Sequence, residues 1–182
     1  MVRAGTGGLG ANPIEAATHA TGGWALRFLL AALAVTPLRR LTGWHEVVSH
    51  RRMLGLFAFA YACAHFAIWS LLDLGLDLSA MVEDVRERPF VTAGFAAFLL
   101  LVPLAVTSTR GWMRRLGRRW IALHRLAYLA AGLAILHYFW LVKADLRPPM
   151  VYAAVLGVLL AARLPIWRRG GRSGSRGGGA DA

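Results

Sequence analysis

The 182-residue chain has little cysteine and few acidic residues. Its single cysteine, Cys63, excludes an intrachain disulfide framework and a cysteine-rich metal or iron–sulfur site. Nine Asp and Glu residues stand against 21 Lys and Arg, and none of the nine lies within the long apolar runs, where a buried proton relay usually needs carboxylates. The sequence also contains no H-E-x-x-H, G-x-S-x-G or P-loop motif. Because the connections between apolar runs are short, we expect catalysis on a large substrate to take place on a partner protein.

Residues 5–10 read GTGGLG and match the G-x-G-x-x-G dinucleotide pattern. A functional match needs a strand before it, a helix opening on its last glycine, and an acidic residue about 20 positions further on. Here only four residues precede the match, and Asn12-Pro13 follows it. We therefore interpret the match as a coincidence and the segment as an external loop.

What the chain has in abundance is apolar sequence. Hydrophobic residues make up 57% of it, and its mean hydropathy is +0.51, well above that of a soluble domain. A net charge of +12 is compatible with nucleic-acid binding only if the basic residues share a soluble face. Instead, they form short clusters between apolar runs, which suits lipid headgroups. We expect membrane lipid, and no nucleic acid, around this chain.

Five apolar runs are long enough, or nearly so, to cross a hydrocarbon core, which takes about 20 helical residues. The predicted fold is an all-α integral membrane protein, a bundle of about five transmembrane helices. Residues 1–23 are predicted to form an external segment, 24–167 the membrane domain, and 168–182 a disordered cytoplasmic tail. The predicted spans are 24–41, 53–72, 89–107, 120–142 and 148–167.

The distribution of charge between the spans predicts their orientation. Arginines cluster in 39–52, in 110–119 and from 163 onward, whereas the alternate connections contain most of the acidic residues, within 73–87. Because cytoplasmic loops carry the excess of Lys and Arg, the arginine-rich side is predicted to be cytoplasmic. This puts the N-terminus outside and the C-terminus inside.

Three of the six histidines, His65, His124 and His137, lie within predicted spans. Ionisable residues in a membrane interior are functional candidates, although an imidazole can also simply join two helices by a hydrogen bond. His124 and His137 are 13 residues apart, so they lie about 20 Å apart along a helix and cannot share one metal ion. Each needs a partner on another helix. Two imidazoles from facing helices that ligate a haem iron fit this requirement.

Depth in the bilayer suggests which histidines pair. His65 lies ~18 Å from the cytoplasmic end of its span and His137 ~26 Å, whereas His124 lies only ~6 Å from it. This favours a pair of His65 and His137 in the outer half. The partner of His124 stays open: it could be His50 from the loop, or His124 could hold a five-coordinate haem or another cofactor. On an ideal helix His124 and His137 point about 140° apart, so either a π-bulge aligns them or they face different helices.

Several blocks of sequence resemble those of the MsrQ (YedZ) family, whose members are ferric-reductase-like transmembrane domains related to the NADPH-oxidase membrane core. The resemblance runs from Gly7 to Arg169. In chain order the blocks are GGLGANPIE, TGGWALRFLLAALAVTPLRR, RRMLGLFAFAYACAHF, RPFVTAGF, PLAVTST, LGRRWIALHRLAYL and ILHYFWLVK.

The resemblance implies a haem subunit of the bacterial inner membrane that contains one or two haem b groups, with His65, His124 and His137 as axial ligands. It also implies a partner, the periplasmic molybdenum-containing methionine sulfoxide reductase MsrP, which repairs oxidised periplasmic proteins. The expected electron donor is the quinone pool or a cytoplasmic flavin reductase, and FMN is associated with the family. Members usually have six helices, one of them before the GGLG block. Because Met1 lies six residues before Gly7, we expect either a truncated gene start or a branch of the family that lacks the first helix.

Two other functions remain open at this stage. One is a ferric or metal reductase that acts directly on an external substrate. The other is a small transporter or assembly factor in which the histidines are structural and no chromophore is bound. The sequence contains no flavin or nicotinamide domain, so the chain is not expected to take hydride from NADPH alone.

Overall fold

The computed structural model describes residues 13–142 and 145–163, and these residues form helices and turns with no strand. The predictions for GTGGLG and for the C-terminal tail lie outside the described residues. The helices are α1 (Pro13–Thr42), α2 (Val47–Ala67) with a π-helical continuation (Ile68–Asp73), α3 (Leu78–Glu87), α4 (Pro89–Val106), α5 (Arg110–Leu116), α6 (Arg118–His124), α7 (Leu126–Leu141) and α8 (Arg147–Ala161).

Among the described residues, four helical segments are long and apolar enough to cross a membrane: Pro13–Thr42, Val47–Asp73, Pro89–Val106 and Arg118–Leu141. Helix α8 is apolar but has only 15 residues, and residues 164–167 of the fifth predicted span lie outside the described residues. The all-α, multi-pass membrane class is therefore confirmed, with four full-length spans and one shorter apolar helix.

Helix α1 begins eleven residues before the predicted span, so part of the predicted external segment is helical. Its first residue is Pro13, whose fixed φ suits a first helical turn. The hydroxyls of Thr18 and Thr21 donate to carbonyl oxygens four residues earlier, both at 2.8 Å, which satisfies polar side chains within the helix. This added length brings Thr18 level with the far end of α2.

Local sequence explains several helix ends. Gly43 adopts a φ of +71°, and its N–H donates to Arg39 at 3.0 Å, which ends α1. Asp77 accepts from the N–H groups of Ser79 and Ala80 and thereby caps α3. Pro89 opens α4 at a position where a proline needs no hydrogen-bond donor.

Four helices form the bundle, as two antiparallel pairs. Helix α1 packs along α2 and α4 packs along α7, and the pairs meet through α1–α7 and α2–α4 contacts. No extensive contact joins α2 to α7 within the described part of the chain, so these two helices lie diagonally across the bundle. Helix α8 packs on α7 and α1 from outside.

Small side chains let the helices approach each other closely. Ala58, Ala130 and Ala131 are fully buried, and small residues at such contacts bring helix backbones together in membranes. Larger apolar residues surround them in the core: Leu26, Leu29, Leu30, Leu33, Leu101, Ile135 and Leu156.

The helix that contains His124 and His137 is broken between α6 and α7 by tighter turns, and not by a wider π-helical turn. The N–H of Arg125 bonds to Ala122 at 3.2 Å and the N–H of Tyr128 bonds to Arg125 at 3.0 Å, both with three-residue spacing, which is tighter than an α-helix. Of the two alternatives that the sequence left open, the π-bulge is therefore not found between the two histidines. The π-helical turn lies instead at Ile68–Asp73, directly after α2.

Candidate functional site

A cavity of about 450 Å³ lies between α1, α2, α4 and α7. This volume falls within the ~300–1,000 Å³ range of pockets that hold small molecules and cofactors. His65 on α2 and His137 on α7 line it from opposite corners of the bundle, with ring centroids 6.1 Å apart and ring planes at 81°. The structure thus brings together the two histidines that the depth argument paired.

Each of these histidines is fixed by a backbone carbonyl of the neighbouring helix. Nδ1 of His65 lies 2.9 Å from the carbonyl oxygen of Thr18, and Nδ1 of His137 lies 2.6 Å from that of Phe90. A carbonyl only accepts hydrogen bonds, so in both rings the Nδ1–H donates and the proton sits on Nδ1. Nε2 then has a free lone pair. Metal-binding histidines typically have this arrangement, in which the outer N–H is held by a carbonyl or carboxylate.

The spacing of the rings fits a metal ion held between them. An imidazole nitrogen binds a metal at about 2 Å, which puts the ring centroid about 3 Å from the ion, so two opposed rings have centroids about 6 Å apart. The observed separation is 6.1 Å. Within the described residues, no three or more His, Cys, Asp or Glu side chains lie close enough together to hold a bare metal ion. Two neutral nitrogen donors across an apolar cavity therefore suit a metal that arrives within a larger prosthetic group.

Two glycines border the histidine rings. Gly22 on α1 faces His65, and Gly94 on α4 faces His137, at distances that leave no room for a side chain. Neither these glycines nor the two carbonyls can be recognised from the sequence, because glycines are common in membrane helices and carry no chemistry of their own.

Comparison with known proteins gives consistent matches. The family described as "Ferric reductase like transmembrane component" matches residues 21–135. The "Protein-methionine-sulfoxide reductase heme-binding subunit MsrQ" of Rhodospirillum rubrum is 57% identical over 169 residues, which cover 92% of this chain and 81% of that protein. Proteins of the same name from Ralstonia nicotianae and Xanthomonas euvesicatoria are each 53% identical, over 94% and 91% of this chain and 80% and 75% of their own lengths.

This chain belongs to the MsrQ family. The family resemblance found in the sequence is thereby confirmed over most of the chain. No solved structure matches it. The name of those relatives describes them as haem-binding subunits.

In this MsrQ-family chain, His124 lies apart from the other two candidate ligands. It ends α6 and is not among the residues that line the cavity. Its ring stacks on that of Trp120, with centroids 3.9 Å apart, and its Nδ1 lies 3.2 Å from the carbonyl oxygen of Trp120. The structure records no contact between His124 and His50, whose exposed ring instead bonds to Ser49.

Arginines from the clusters that predicted the orientation lie toward this end of the bundle. Arg163 donates to the Tyr128 hydroxyl and to the carbonyl oxygen of Leu33, and its guanidinium lies 4.9 Å above the Tyr128 ring. Its Nε is buried without a partner. Arg51 is near enough to both His124 and Arg163 to interact electrostatically with each. Within the described residues, the contacts of Arg51 and Arg163 include no carboxylate, so this group suits an anionic ligand.

Arg27, in the middle of α1, also lines the main cavity. Its Nε donates to the Tyr152 hydroxyl of α8 at 3.1 Å, and its guanidinium lies 5.0 Å from the centre of the Trp24 ring. A charge within a span is tolerated when polar groups hold it, and here they connect α8 to the cavity wall.

Polar residues close the end of the cavity opposite to the arginine group. Asp84 of α3 accepts from Trp69 Nε1 at 3.2 Å and pairs with Arg88 at 3.0 Å, and all three line the cavity. The ion pair connects α3 to the start of α4, while the indole bond connects α3 to the π-helical turn.

Proposed function

We propose that this chain is a b-type haem subunit that carries electrons across the bacterial inner membrane, with His65 and His137 as the axial ligands of one haem iron. The observation that carries the proposal is the pair of imidazoles that line one cavity, with ring centroids 6.1 Å apart and each Nδ1–H held by a carbonyl. The name of the relatives, a heme-binding subunit, supports it.

The bound haem would supply a redox centre that takes up and releases one electron at a time. The residues of the chain do the rest. Thr18 and Phe90 hold the two rings in the tautomer that leaves Nε2 free. Most of the cavity wall is apolar, which limits the access of water and helps to set the potential of such a centre.

The proposed acceptor is the periplasmic molybdenum-containing methionine sulfoxide reductase MsrP, on which catalysis would take place. Reduction of one sulfoxide consumes two electrons and two protons and releases the thioether and one water molecule. A one-electron carrier must therefore deliver twice per turnover. The donor that balances this reaction is quinol from the membrane pool or the reduced flavin of a cytoplasmic flavin reductase. Support comes from the relatives, which are named as subunits of a reductase system.

His124 is proposed to serve a second cofactor, either another haem or FMN. Its stacking on Trp120 and its proximity to Arg51 support this assignment. Haem propionates and the FMN phosphate are both anionic, and the arginine group with Arg163 matches that charge. A cofactor here would lie nearer the arginine-rich end, where electrons would enter.

The proposed function is tested with the purified full chain in detergent. A dithionite-reduced minus oxidised spectrum should contain a sharp b-type α-band, and mixing the reduced protein with purified MsrP and a methionine-sulfoxide substrate should reoxidise it. One thioether should form for every two electrons lost. A wild-type protein that stays colourless when expressed with ample haem contradicts the proposal and favours structural histidines in a transporter or assembly factor.

The description of the matched family favours one alternative, a reductase acting directly on ferric iron. The same reduced protein distinguishes the two. If a ferric chelate reoxidises it quickly and MsrP does not, the direct metal reductase is the correct function.

A further inference from the structure

The helix pairs α1–α2 and α4–α7 contain the same local arrangement twice. In the first pair, the Thr18 carbonyl accepts from a histidine 47 residues later in the chain, and Gly22 lies against the ring of that histidine. In the second pair, Phe90 and Gly94 do the same for His137, again with 47 residues between carbonyl and histidine. Carbonyl, glycine and histidine thus recur in the same order and at the same spacing.

The repetition extends into the buried core. Leu29 corresponds to Leu101 and Ala58 to Ala130, all of them buried, with residue numbers that differ by 72 in each pair, as those of the two histidines do. Because both alanines are fully buried, even the closest helix contacts recur. The two pairs therefore repeat one arrangement, and their histidines come together in the cavity between them.

Among the described glycines, Gly22 and Gly94 are those at which a side chain would strike the two rings. A Cβ on Gly94 would lie 2.7 Å from Nδ1 of His137, and a Cβ on Gly22 would lie 3.0 Å from both Nδ1 and Cε1 of His65. Favourable contacts between such atoms need about 3.5–4.0 Å. A methyl group at either position must therefore displace or rotate the ring, and more so at Gly94.

We propose that Gly22 and Gly94 are positioning residues that set the rotation of the two ligand imidazoles, and that this duplicated arrangement holds the ring planes crossed in the haem complex. The inference rests on the proposed function, because it concerns how the ligands are turned toward the haem. Each ring is confined by a hydrogen bond at Nδ1 and by a glycine surface beside it. The angle of 81° between the ring planes follows from these two constraints acting on two helices.

Crossed ligand planes have a spectroscopic consequence that is independent of activity. In an oxidised low-spin haem with two imidazole ligands, nearly parallel rings give a rhombic electron paramagnetic resonance spectrum. Perpendicular rings give a strongly anisotropic signal with one very large g value. The geometry of the axial ligands is one of the means by which a protein tunes its haem. The haem between His65 and His137 should give the second kind of signal.

The test compares the haem-loaded wild type with Gly94→Ala and Gly22→Ala, and with Gly55→Ala and Gly132→Ala as matched controls outside the cavity lining. A Cβ on either control glycine meets nothing within 4 Å, and all four substitutions make the same change within a helix. We expect the large-g signal in the wild type and both controls. It should move to smaller g in Gly22→Ala and further in Gly94→Ala. Haem retention in Gly94→Ala should fall by roughly 10–100-fold, as for other changes beside a metal ligand.

Several results would overturn the inference while leaving haem binding intact: a rhombic spectrum in the wild type, an unchanged signal in both cavity variants, or equal shifts in the controls. If Gly94→Ala cannot be loaded with haem, the milder Gly22→Ala decides, since its signal either shifts or matches the wild type. A wild-type protein that binds no haem contradicts the proposed function instead, so the two failures are distinguishable.

Discussion

The Nδ1–H of His137 donates to the carbonyl oxygen of Phe90, which lies on another helix and 47 residues earlier in the chain. This bond determines which ring nitrogen faces the cavity, and it depends on how α7 packs on α4. The chemistry of the site is thus tied to the packing of whole helices.

Replacing either cavity histidine should remove the haem. We expect His65→Ala and His137→Ala to lose the reduced α-band, because each deletes one of two nitrogen donors. His50→Ala is the control, since its exposed ring contacts Ser49 and lies away from the cavity. The measurement is haem per protein in detergent. Full haem content in both cavity variants would rule out this ligand pair.

Replacing His124 should separate the second cofactor from the first. His124→Ala removes the ring that stacks on Trp120 but touches no residue that bonds His65 or His137. The α-band of the cavity haem should persist, while the content of a second haem or of FMN should fall. Quantifying haem and extracted flavin per protein checks this. Loss of all haem in the variant would contradict the assignment of separate sites.

Tyr128→Phe should destabilise the fold, because Arg163 loses its hydroxyl acceptor and part of a buried guanidinium is left without a partner. Such a loss costs about 1–3 kcal/mol. The matched control is Tyr61→Phe, because Tyr61 packs against Trp24 and Phe28 and no hydrogen bond of its hydroxyl is found. Thermal unfolding in detergent measures both. Equal stabilities of the two variants would mean that the Tyr128 contact contributes nothing.

Ala130→Leu should destabilise the bundle more than Ala154→Leu. Ala130 is fully buried where α7 meets its neighbours, whereas Ala154 is exposed on α8. Overfilling a packed contact costs about 1–3 kcal/mol, because side chains and backbones must shift. The readout is the midpoint of thermal unfolding and the haem content. An Ala154→Leu effect as large as that of Ala130→Leu would argue against close packing at this position.

The cap of α3 should depend on pH through Asp77. Hydrogen bonds from Ser79, and then from the N–H of Ala80, lower the pKa of this exposed carboxyl below its usual 3.8. A lowered folded-state pKa means that the cap contributes fully above about 3.8 and is lost as the pH falls through the lowered value. Amide exchange in α3 should therefore rise at acidic pH in the wild type.

Two variants test this expectation for the cap. Asp77→Ala should exchange quickly at all pH values, because it has no acceptor. Asp77→Asn retains an acceptor that does not titrate, so it should lack the acid-induced increase. An acid-induced increase of the same size in Asp77→Asn would show that another group is responsible.

Much of the fold could be predicted from the apolar runs, because a bilayer requires helices of about 20 residues and leaves few alternatives. The pairing of His65 with His137 also followed from their depths. Helix ends were less predictable. Helix α1 extends back to Pro13, because the hydroxyls of its threonines donate hydrogen bonds to carbonyl oxygens of the same helix. The break at Arg125 depends on backbone geometry that no residue type in this stretch indicates.

The carbonyls and glycines of the site could not be recognised from residue types considered one at a time. A backbone carbonyl such as that of Thr18 has no sequence signature, and a membrane glycine such as Gly22 has many ordinary explanations. The arginine group near His124 was read as a topology signal, since arginines outside spans usually are. Aligning the chain with itself at a shift of 72 residues could have revealed the glycines, because that shift superimposes Gly22 on Gly94 as well as the two histidines.

The two hairpins differ chiefly in how their helices are joined: four residues, 43–46, connect α1 to α2, whereas α5 and α6 lie between α4 and α7. Duplication and fusion of an ancestral gene would explain this pattern. Because 47 residues separate carbonyl from histidine in both copies, nothing was inserted between the helices, and residues of the same length of chain came to fold differently. The end of the bundle that contains His65 and His137 would then be the part that both copies retain. The end that contains His124 would be the part in which the copies diverged, so substitutions there should be able to change the second proposed site without disturbing the first.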